Sequence, residues 1–187
     1  MALLPKVSFE FFPPRTEEGI HKLKETVIAL NSFNPEFYSV TFGAGGSTKE
    51  KTLETVMQIK AMNAEAVPHI SCISSTKDEV LELIDSYQAK DINRLVALRG
   101  DNPSGAVGGG DFSHANELVE FIRQETGDYF KIEVAAYPEF HPESSSSKDD
   151  LDNFQKKVDA GANGAITQFF FNADAYFKFM EECETRK

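Results

Sequence analysis

The sequence predicts an α/β protein built around a parallel sheet, and three observations support this fold class. Six short apolar runs, rich in β-branched and aromatic residues, alternate with six amphipathic stretches. Most of the runs are apolar on both faces, which is typical of parallel strands covered by helices. The units follow one another at about 30 residues without a linker or a charged block. Such regular alternation favours right-handed β-α-β crossovers in one sheet.

The predicted elements can be placed in chain order. The strands are Val7–Phe12, Phe37–Phe42, Ala66–Cys72, Arg94–Leu98, Ile132–Tyr137 and Gly164–Phe171. The helices are Glu17–Leu30, Lys49–Met62, Lys77–Gln88, His114–Gln124, Asp149–Ala160 and Ala173–Cys183. Ser47 or Thr48 is a candidate N-cap for the second helix, and Gly161 is a candidate C-cap for the fifth.

Two architectures are compatible with this alternation: an open doubly wound sheet and a (β/α)8 barrel. A barrel usually takes about 250 residues and eight units. With 187 residues and six units, the chain is expected to form one domain over residues 1–187. If that domain is a barrel, it is an incomplete one whose C-terminal units are missing.

Composition limits the classes of partner. Lys and Arg number 19 against 30 Asp and Glu, which gives a formal net charge of -11. A negative field repels nucleic acid and anionic lipid, so neither is an expected partner. Cys72 and Cys183 lie far apart and form no C-x-x-C motif, and no apolar run approaches the length of a membrane span. The start of the chain lacks the features of a signal peptide, and a cytoplasmic location is expected.

Several common catalytic and nucleotide-binding motifs are absent from the sequence. The glycine-rich stretch from Gly43 to Thr48 does not complete G-x-G-x-x-G, and no P-loop is present. The chain also lacks G-x-S-x-G and H-E-x-x-H. A Rossmann or P-loop nucleotide site and the common hydrolase sites are therefore disfavoured.

A carboxylate interrupts the first predicted strand. Glu10 lies between Phe9 and Phe11, and the strand period places it on the face of Ser8 and Phe12. Burial beside aromatic rings would favour the neutral carboxyl and suit a general acid. The alternative is that Glu10 lies past the sheet and is simply solvated.

Further polar residues stand at the ends of the second and third runs. Thr41 precedes Gly43, Gly45 and Gly46, which would let a ligand approach the backbone or would serve only a tight turn. His69 is either a ligand-binding residue or a hydrogen-bonded core histidine. Each signal is weak alone.

The fourth run ends in Arg99-Gly100-Asp101, whose charges could bind ligand groups or merely pair with each other. Gln168 lies in the sixth run, where burial would require hydrogen-bond partners. Together with Tyr137 and His141, these residues place a polar cluster at the carboxyl ends of the predicted strands. Such clustering is typical of an enzyme site.

The segments that carry these residues resemble the bacterial-type, FAD-dependent methylenetetrahydrofolate reductases. The matching motifs are FEFFPPR (Phe9–Arg15), SVTFGAGGST (Ser39–Thr48), PHISC (Pro68–Cys72), VALRGD (Val96–Asp101), AAYPEFHPE (Ala135–Glu143) and KKVDAGANGAITQFFF (Lys156–Phe171). They occur in the family's order and with similar spacing along the whole chain. The resemblance implies a (β/α)8 TIM barrel that stops about two units early, with open sheet edges and exposed core.

The resemblance also implies a reaction: 5,10-methylenetetrahydrofolate is reduced to 5-methyltetrahydrofolate with NADH or NADPH, by ping-pong hydride transfer through FAD. Glu10 is implied as the general acid and Asp101 as a catalytic anion facing flavin and folate. Gln168, with Glu10 and Asp101, is implied to bind substrate. The partners would be folate and a nicotinamide nucleotide, and we expect a homo-oligomer.

The resemblance places the flavin at the carboxyl ends of the strands. The implied FAD-binding residues are Thr41, His69, Leu98, Arg99, Gly100, Asp101, His114, Ala115, Ala135, Tyr137, His141, Asp150, Asn153, Lys156 and Lys157. Within this set, the two lysines are candidate partners for the FAD pyrophosphate. From position in the chain alone, they are equally compatible with a solvated helix face.

Two other functions remain open on the residues. Glu10, His69, Asp101 and His141 have the chemistry of a metal-dependent barrel hydrolase. An incomplete barrel without catalytic activity is the other alternative.

Overall fold

The computed structural model describes residues 6–42, 49–100 and 110–186. Within these residues, six strands form one sheet in the order of the chain, and every neighbouring pair is parallel. The strands are β1 (Ser8–Phe11), β2 (Phe37–Val40), β3 (Ala66–Ser71), β4 (Arg94–Leu98), β5 (Lys131–Ala136) and β6 (Gly164–Thr167).

A helix follows each strand. The helices are α1 (Glu17–Leu30), α2 (Lys49–Lys60), α3 (Lys77–Gln88), α4 (Ala115–Thr126), α5 (Ser147–Asp159) and α6 (Ala173–Thr185). A doubly wound sheet reverses its strand order at a switch point, whereas this sheet runs from β1 to β6 without reversal. The architecture is therefore that of a partial (β/α)8 barrel, as predicted.

Short polar side chains fix where the helices begin. The Thr16 hydroxyl accepts a hydrogen bond from the Gly19 amide at 3.1 Å at the start of α1. At α3, Thr76 and Glu79 form a reciprocal capping box. The predicted glycine at the end of α5 is confirmed by the φ of +109° at Gly161, a value that favours glycine. The proposed caps at Ser47 and Thr48 lie outside the described residues.

The main core lies between the sheet and the helices. Alternate strand residues point outward, and Val40, Ile70 and Leu95 are completely buried there. Helix residues such as Val56 and Ile84 pack against them and are equally buried. This core between the sheet and the helices explains why the strand sequences are mostly apolar.

The inner face of the sheet is polar near the amino ends of the strands. The Arg94 guanidinium donates to Oε1 of Glu133 at 2.6 Å and to Oε1 of Glu36 at 3.0 Å. It also stacks over the Phe37 ring at 4.0 Å. A Cβ at Gly164 would overlap the Glu133 carboxylate, so the next strand approaches this ion pair as closely as glycine allows.

The two outer strands, β1 and β6, each pair on one side only within the described residues. Large aromatic side chains near them are solvent-exposed: Phe12 by 69%, Phe169 by 75% and Phe171 by 89%. These exposures agree with the expectation of open edges. They also correct the sixth predicted strand, because β6 ends at Thr167 and the aromatic residues follow it.

We predict that Arg94→Met lowers the free energy of unfolding by about 3–5 kcal/mol, because the buried Glu133 carboxylate loses its hydrogen-bonded partner and keeps only the half-exposed Lys131 ammonium at 3.5 Å. Only 11% of the Arg94 side chain and 6% of the Glu133 side chain are exposed. Urea denaturation followed by circular dichroism measures the change.

The matched control is Lys178→Met, which breaks a 3.9 Å helical pair with Glu182 on the surface. We expect a much smaller change, since exposed pairs contribute little. Equal losses for both variants would contradict a stabilising role of the Arg94 pair. The double variant Arg94→Met/Glu133→Leu should recover part of the loss, because neither charge is then left alone.

Candidate active site

Three inner-face side chains meet near the carboxyl ends of β1, β2 and β3. The parallel register pairs Glu10 with Ser39, which places both side chains on the same face of adjacent strands. The Ser39 hydroxyl donates to Oε2 of Glu10 at 3.3 Å, and Nε2 of His69 lies 3.3 Å from the same oxygen. The structure therefore joins Glu10 and His69, two predicted site residues, and adds Ser39.

The environment of Glu10 differs from the prediction. Its side chain is 51% exposed rather than buried among aromatic rings. Contact with His69 lowers the pKa of the Glu10 carboxyl, burial opposes this in part, and the Ser39 hydroxyl lowers the pKa further. The expectation of a raised pKa is wrong for this structure, because neighbouring donors outweigh desolvation.

Four buried side-chain atoms lack hydrogen-bond partners among the described residues: Oε1 of Gln58, the Tyr87 hydroxyl, Oγ1 of Thr41 and Nε2 of His69. The last two belong to predicted site residues. The His69 nitrogen is close enough to Glu10 for an ion pair but is not aligned for a hydrogen bond. Buried polar groups are normally satisfied. These two atoms therefore fit a ligand that brings hydrogen-bonding groups to the site.

Arg99, just after β4, pairs with a residue that the sequence did not indicate. Its Nη2 donates to Oε2 of Glu143 at 2.6 Å, across 44 positions of the chain. Arg99 lowers the pKa of the exposed Glu143 carboxyl. Gly100 has a φ of +82°, and a Cβ there would overlap the Ser71 hydroxyl. Asp101 lies outside the described residues.

The loop after β5 brings Tyr137 and His141 together, with ring centroids 4.6 Å apart in an edge-to-face arrangement. The Glu143 amide donates to Nδ1 of His141 at 3.1 Å. If the imidazole is neutral, its proton is therefore on Nε2. Through Glu143, this pair is continuous with Arg99.

Lys157 reaches the same end of β5 from α5. Its Nζ donates to the Ala135 carbonyl at 2.5 Å and lies 6.0 Å from the centroid of the Tyr137 ring. Burial lowers the pKa of Lys157, and the nearby Asp150 opposes this shift. Lys157 is thus packed beside the strand end, which contradicts the solvated-face alternative for this residue.

The other predicted residues of α5 remain near the surface. The Lys156 ammonium is exposed and donates to Oδ1 of Asn153 at 3.1 Å. Asp150 accepts a hydrogen bond from the Ser144 hydroxyl at 3.1 Å. These contacts leave the Lys156 ammonium facing solvent.

His114 and Ala115 lie where α4 begins. The His114 ring is exposed, with Nδ1 3.4 Å from Oε1 of Glu117. The Cys72 thiol lies 3.7 Å from the His114 carbonyl oxygen and 3.8 Å from that of Arg99, so the two segments are neighbours. Burial raises the pKa of Cys72 to about 11, which makes this thiol a neutral packing group at pH 7.

Gln168 is exposed and follows the end of β6, which corrects its placement within a buried strand. Its Oε1 accepts a hydrogen bond from the Phe169 amide at 2.8 Å. The backbone N–H of Gln168 donates to the Ala136 carbonyl at 2.7 Å, so the backbone of Gln168 is anchored beside the end of β5.

Within the described ranges, no group of three or more His, Cys, Asp or Glu side chains is arranged to hold a metal ion. Of the residues considered for a metal site, Glu10 and His69 are in contact. His141 instead packs on Tyr137. The described residues therefore give no support to a metal-dependent hydrolase. None of their helices is long and apolar enough to cross a bilayer.

The family model for methylenetetrahydrofolate reductase matches residues 4–187. The chain belongs to this family.

Family members in enteric bacteria are close in sequence. The 5,10-methylenetetrahydrofolate reductases of Salmonella typhimurium and Escherichia coli are each 46% identical over 178 residues. These alignments cover 95% of this chain and 59% of each relative. The Arabidopsis thaliana methylenetetrahydrofolate reductase (NADH) 1 is 39% identical over 191 residues, covering 94% of this chain and 32% of the plant protein. The chain thus spans about three fifths of its bacterial relatives.

Solved structures support the fold. An uncharacterised Clostridium thermocellum protein that binds two copies of 5-methyl-5,6,7,8-tetrahydrofolic acid aligns with a TM-score of 0.68 at 17% identity. That alignment covers 95% of this chain and 59% of the other. A 2,3-dimethylmalate lyase aligns with a TM-score of 0.62 at 8% identity, covering 95% and 61%. At these identities the likeness establishes the barrel fold of this reductase family member.

We predict that Thr41→Val in this family member leaves the free energy of unfolding unchanged or raises it by up to about 1–3 kcal/mol, because it removes an unsatisfied buried hydroxyl. Thr52→Val is the matched control, since its buried hydroxyl donates to the Thr41 carbonyl at 2.9 Å. The control should lose about 1 kcal/mol. Urea titration of both variants measures the difference, and a larger loss at Thr41 would show that its hydroxyl is already bonded.

Proposed function

We propose that this chain carries the FAD site and the acid residue of a methylenetetrahydrofolate reductase, which reduces 5,10-methylenetetrahydrofolate to 5-methyltetrahydrofolate with NADH or NADPH. The observation that supports this most is the meeting of Glu10, Ser39 and His69 on the inner face of the sheet. An acid there lies among donors, at the end of a barrel where active sites are found. The names of the bacterial and plant relatives support the same reaction.

The residues present fit a flavin. The buried Thr41 hydroxyl and His69 imidazole each have an atom without a hydrogen-bond partner in the described residues. Arg99, Tyr137 and Lys157 lie around the neighbouring strand ends and would hold the cofactor's polar groups. When bound, FAD supplies hydride transfer at N5 in two half-reactions, one with each substrate, which gives ping-pong kinetics.

Further residues of the proposed cradle follow from the family resemblance. They are Leu98, Gly100, Asp101, His114, Ala115, Ala135, His141, Asp150, Asn153 and Lys156. Among the lysines, Lys157 is held by a carbonyl and Lys156 is exposed. We therefore assign contact with the FAD pyrophosphate chiefly to Lys156, whose exposed ammonium would exchange its hydrogen bond to Asn153 for an anion.

Glu10 would hold the proton that the folate needs. Protonation of a ring nitrogen lets the five-membered ring open to an iminium, which is the hydride acceptor. The carboxyl faces the open side of the sheet, where a substrate could reach it. Gln168 and Asp101 would complete the folate contacts, the first from its anchored position beside β5.

We also propose a cytoplasmic location and a homo-oligomeric state for this protein. The two free cysteines are compatible with a cytoplasmic enzyme. Because the net charge is -11, small anionic substrates would be attracted locally by Arg99, Lys156 and Lys157. The exposed aromatic residues beside β6 would support contacts between copies in a homo-oligomer.

We predict that the purified chain acquires the absorbance bands of a protein-bound flavin when FAD is added and the excess is removed. The partnerless Thr41 and His69 atoms and the cationic strand ends give the physical reason. His69→Phe keeps a ring of similar size without its nitrogens and should lower FAD retention. A colourless wild-type protein after FAD addition would favour the alternative of an incomplete, non-catalytic barrel.

We predict that Glu10→Gln abolishes reduction of methylenetetrahydrofolate but leaves reduction of the flavin by NAD(P)H largely intact. An amide cannot donate the proton that ring opening requires, whereas the nicotinamide half-reaction needs no such acid. Stopped-flow absorbance measures the two half-reactions separately.

The matched control is Glu25→Gln, the same chemical change on the exposed face of α1, where 67% of the side chain is accessible. It should alter neither half-reaction. Equal loss of both half-reactions in Glu10→Gln would contradict the assignment of Glu10 as the folate acid.

A further inference from the structure

The two oxygens of the Glu10 carboxylate have different surroundings. Oε2 accepts the Ser39 hydroxyl at 3.3 Å and lies 3.3 Å from Nε2 of His69. Oε1 has no hydrogen-bond partner among the described residues. The Glu10 side chain is half exposed, so a ligand can reach this oxygen. One oxygen is held by the protein while the other is left for a ligand.

The backbone fixes both neighbours of Oε2. Ser39 stands opposite Glu10 in the β1–β2 register, and it is only 3% exposed. His69 is on the third strand with 8% of its side chain exposed. Because both side chains are buried on paired strands, they cannot move away from Glu10 without disturbing the sheet.

We infer that Ser39 is a positioning residue for the acid Glu10: its hydroxyl holds Oε2 so that Oε1 presents the proton to the substrate. This inference rests on the proposed reductase function. Ser39 itself touches no substrate in this scheme, and it acts through the orientation and acidity of Glu10.

The proton transfer balances with these groups alone. The O–H bond at Oε1 of Glu10 breaks, and a new N–H bond forms at the folate nitrogen. The C–N bond of the five-membered ring then breaks, and its electron pair stays on that nitrogen while an iminium forms at the other. Glu10 becomes a carboxylate, which the Ser39 O–H and the His69 ring stabilise.

Among the described residues, His69 from β3 is the titratable group that faces Glu10, and Ser39 from β2 is its uncharged donor. Both lower the pKa of the Glu10 carboxyl by favouring the anion. Removing the Ser39 hydroxyl must therefore raise that pKa. Activity falls with rising pH as Glu10 loses its proton. In Ser39→Ala this alkaline limb of the pH profile should therefore move to higher pH.

The first test needs neither flavin nor folate. Carbon-13 NMR of protein labelled at the glutamate side-chain carboxyl follows the titration of Glu10, with Glu10→Gln assigning its signal. We expect Ser39→Ala to raise the Glu10 pKa and Ser39→Thr, which keeps a hydroxyl, to restore it. Ser75→Ala is the matched control, because Ser75 is 5% exposed and its hydroxyl bonds to the Ser71 carbonyl.

The second test is kinetic. We expect Ser39→Ala to slow the folate half-reaction about tenfold with KM nearly unchanged, since a misplaced acid affects the chemical step. The alkaline limb of its pH profile should shift upward, and reduction of the flavin by NAD(P)H should keep its rate. A purely structural role of Ser39 would instead affect both half-reactions.

The outcomes separate the two proposals. An unmoved Glu10 pKa in Ser39→Ala overturns the positioning role, whether or not the wild-type protein reduces folate. A raised pKa in a protein without any reductase activity supports the Ser39–Glu10 contact but overturns the proposed function. A raised pKa with a selective, threonine-rescued loss of the folate half-reaction supports both.

Discussion

The parallel register of the six strands is the constraint on which the rest of the structure depends. It pairs Glu10 with Ser39 on the first two strands and Val96 with Glu133 on the fourth and fifth. Because strand side chains alternate, each pairing decides which residues meet on the inner face and which pack on the helices. A shift of one residue between β1 and β2 would turn Glu10 toward the helices and replace the site with a buried, unpaired charge.

The inner face uses polar groups for different purposes at its two ends. Near the amino ends, Arg94 and Glu133 pair with each other at 2.6 Å, and Glu36 and Lys131 join the same cluster of charges. Near the carboxyl ends, Thr41 and His69 keep atoms without hydrogen-bond partners in the described part of the chain. In (β/α)8 barrels the active site lies at the carboxyl ends of the strands, and in this sheet the partnerless Thr41 and His69 atoms lie at that end.

The sequence predicted most of the fold, because the strand and helix periodicities are local properties of the chain. All six units are confirmed, with ends shifted by a few residues, as in the sixth strand, where apolar Phe169 and Phe171 follow the sheet. Contacts between distant segments could not be predicted. Ser39 meets Glu10 across 29 positions and Glu143 meets Arg99 across 44. All four residues lie in segments that resemble the reductase family, but a segment does not show which residues of another segment it contacts. The low pKa of Glu10 was missed for the same reason, since its causes lie on other strands.

This low pKa has a consequence for an acid catalyst. With half of its side chain in water and two neighbours favouring the anion, Glu10 lacks its proton at neutral pH when no ligand is bound. In the proposed reductase, a folate that covers the carboxyl would remove water, and desolvation would then favour the neutral form. For Glu10 to act as the acid, proton uptake must accompany substrate binding, so folate affinity is linked to pH. The Ser39 hydroxyl opposes this uptake but stabilises the carboxylate that proton transfer leaves behind. In the proposed mechanism, the Ser39 hydroxyl would therefore favour proton transfer from Glu10 to the folate, and it would lower the fraction of Glu10 that is protonated before the folate binds.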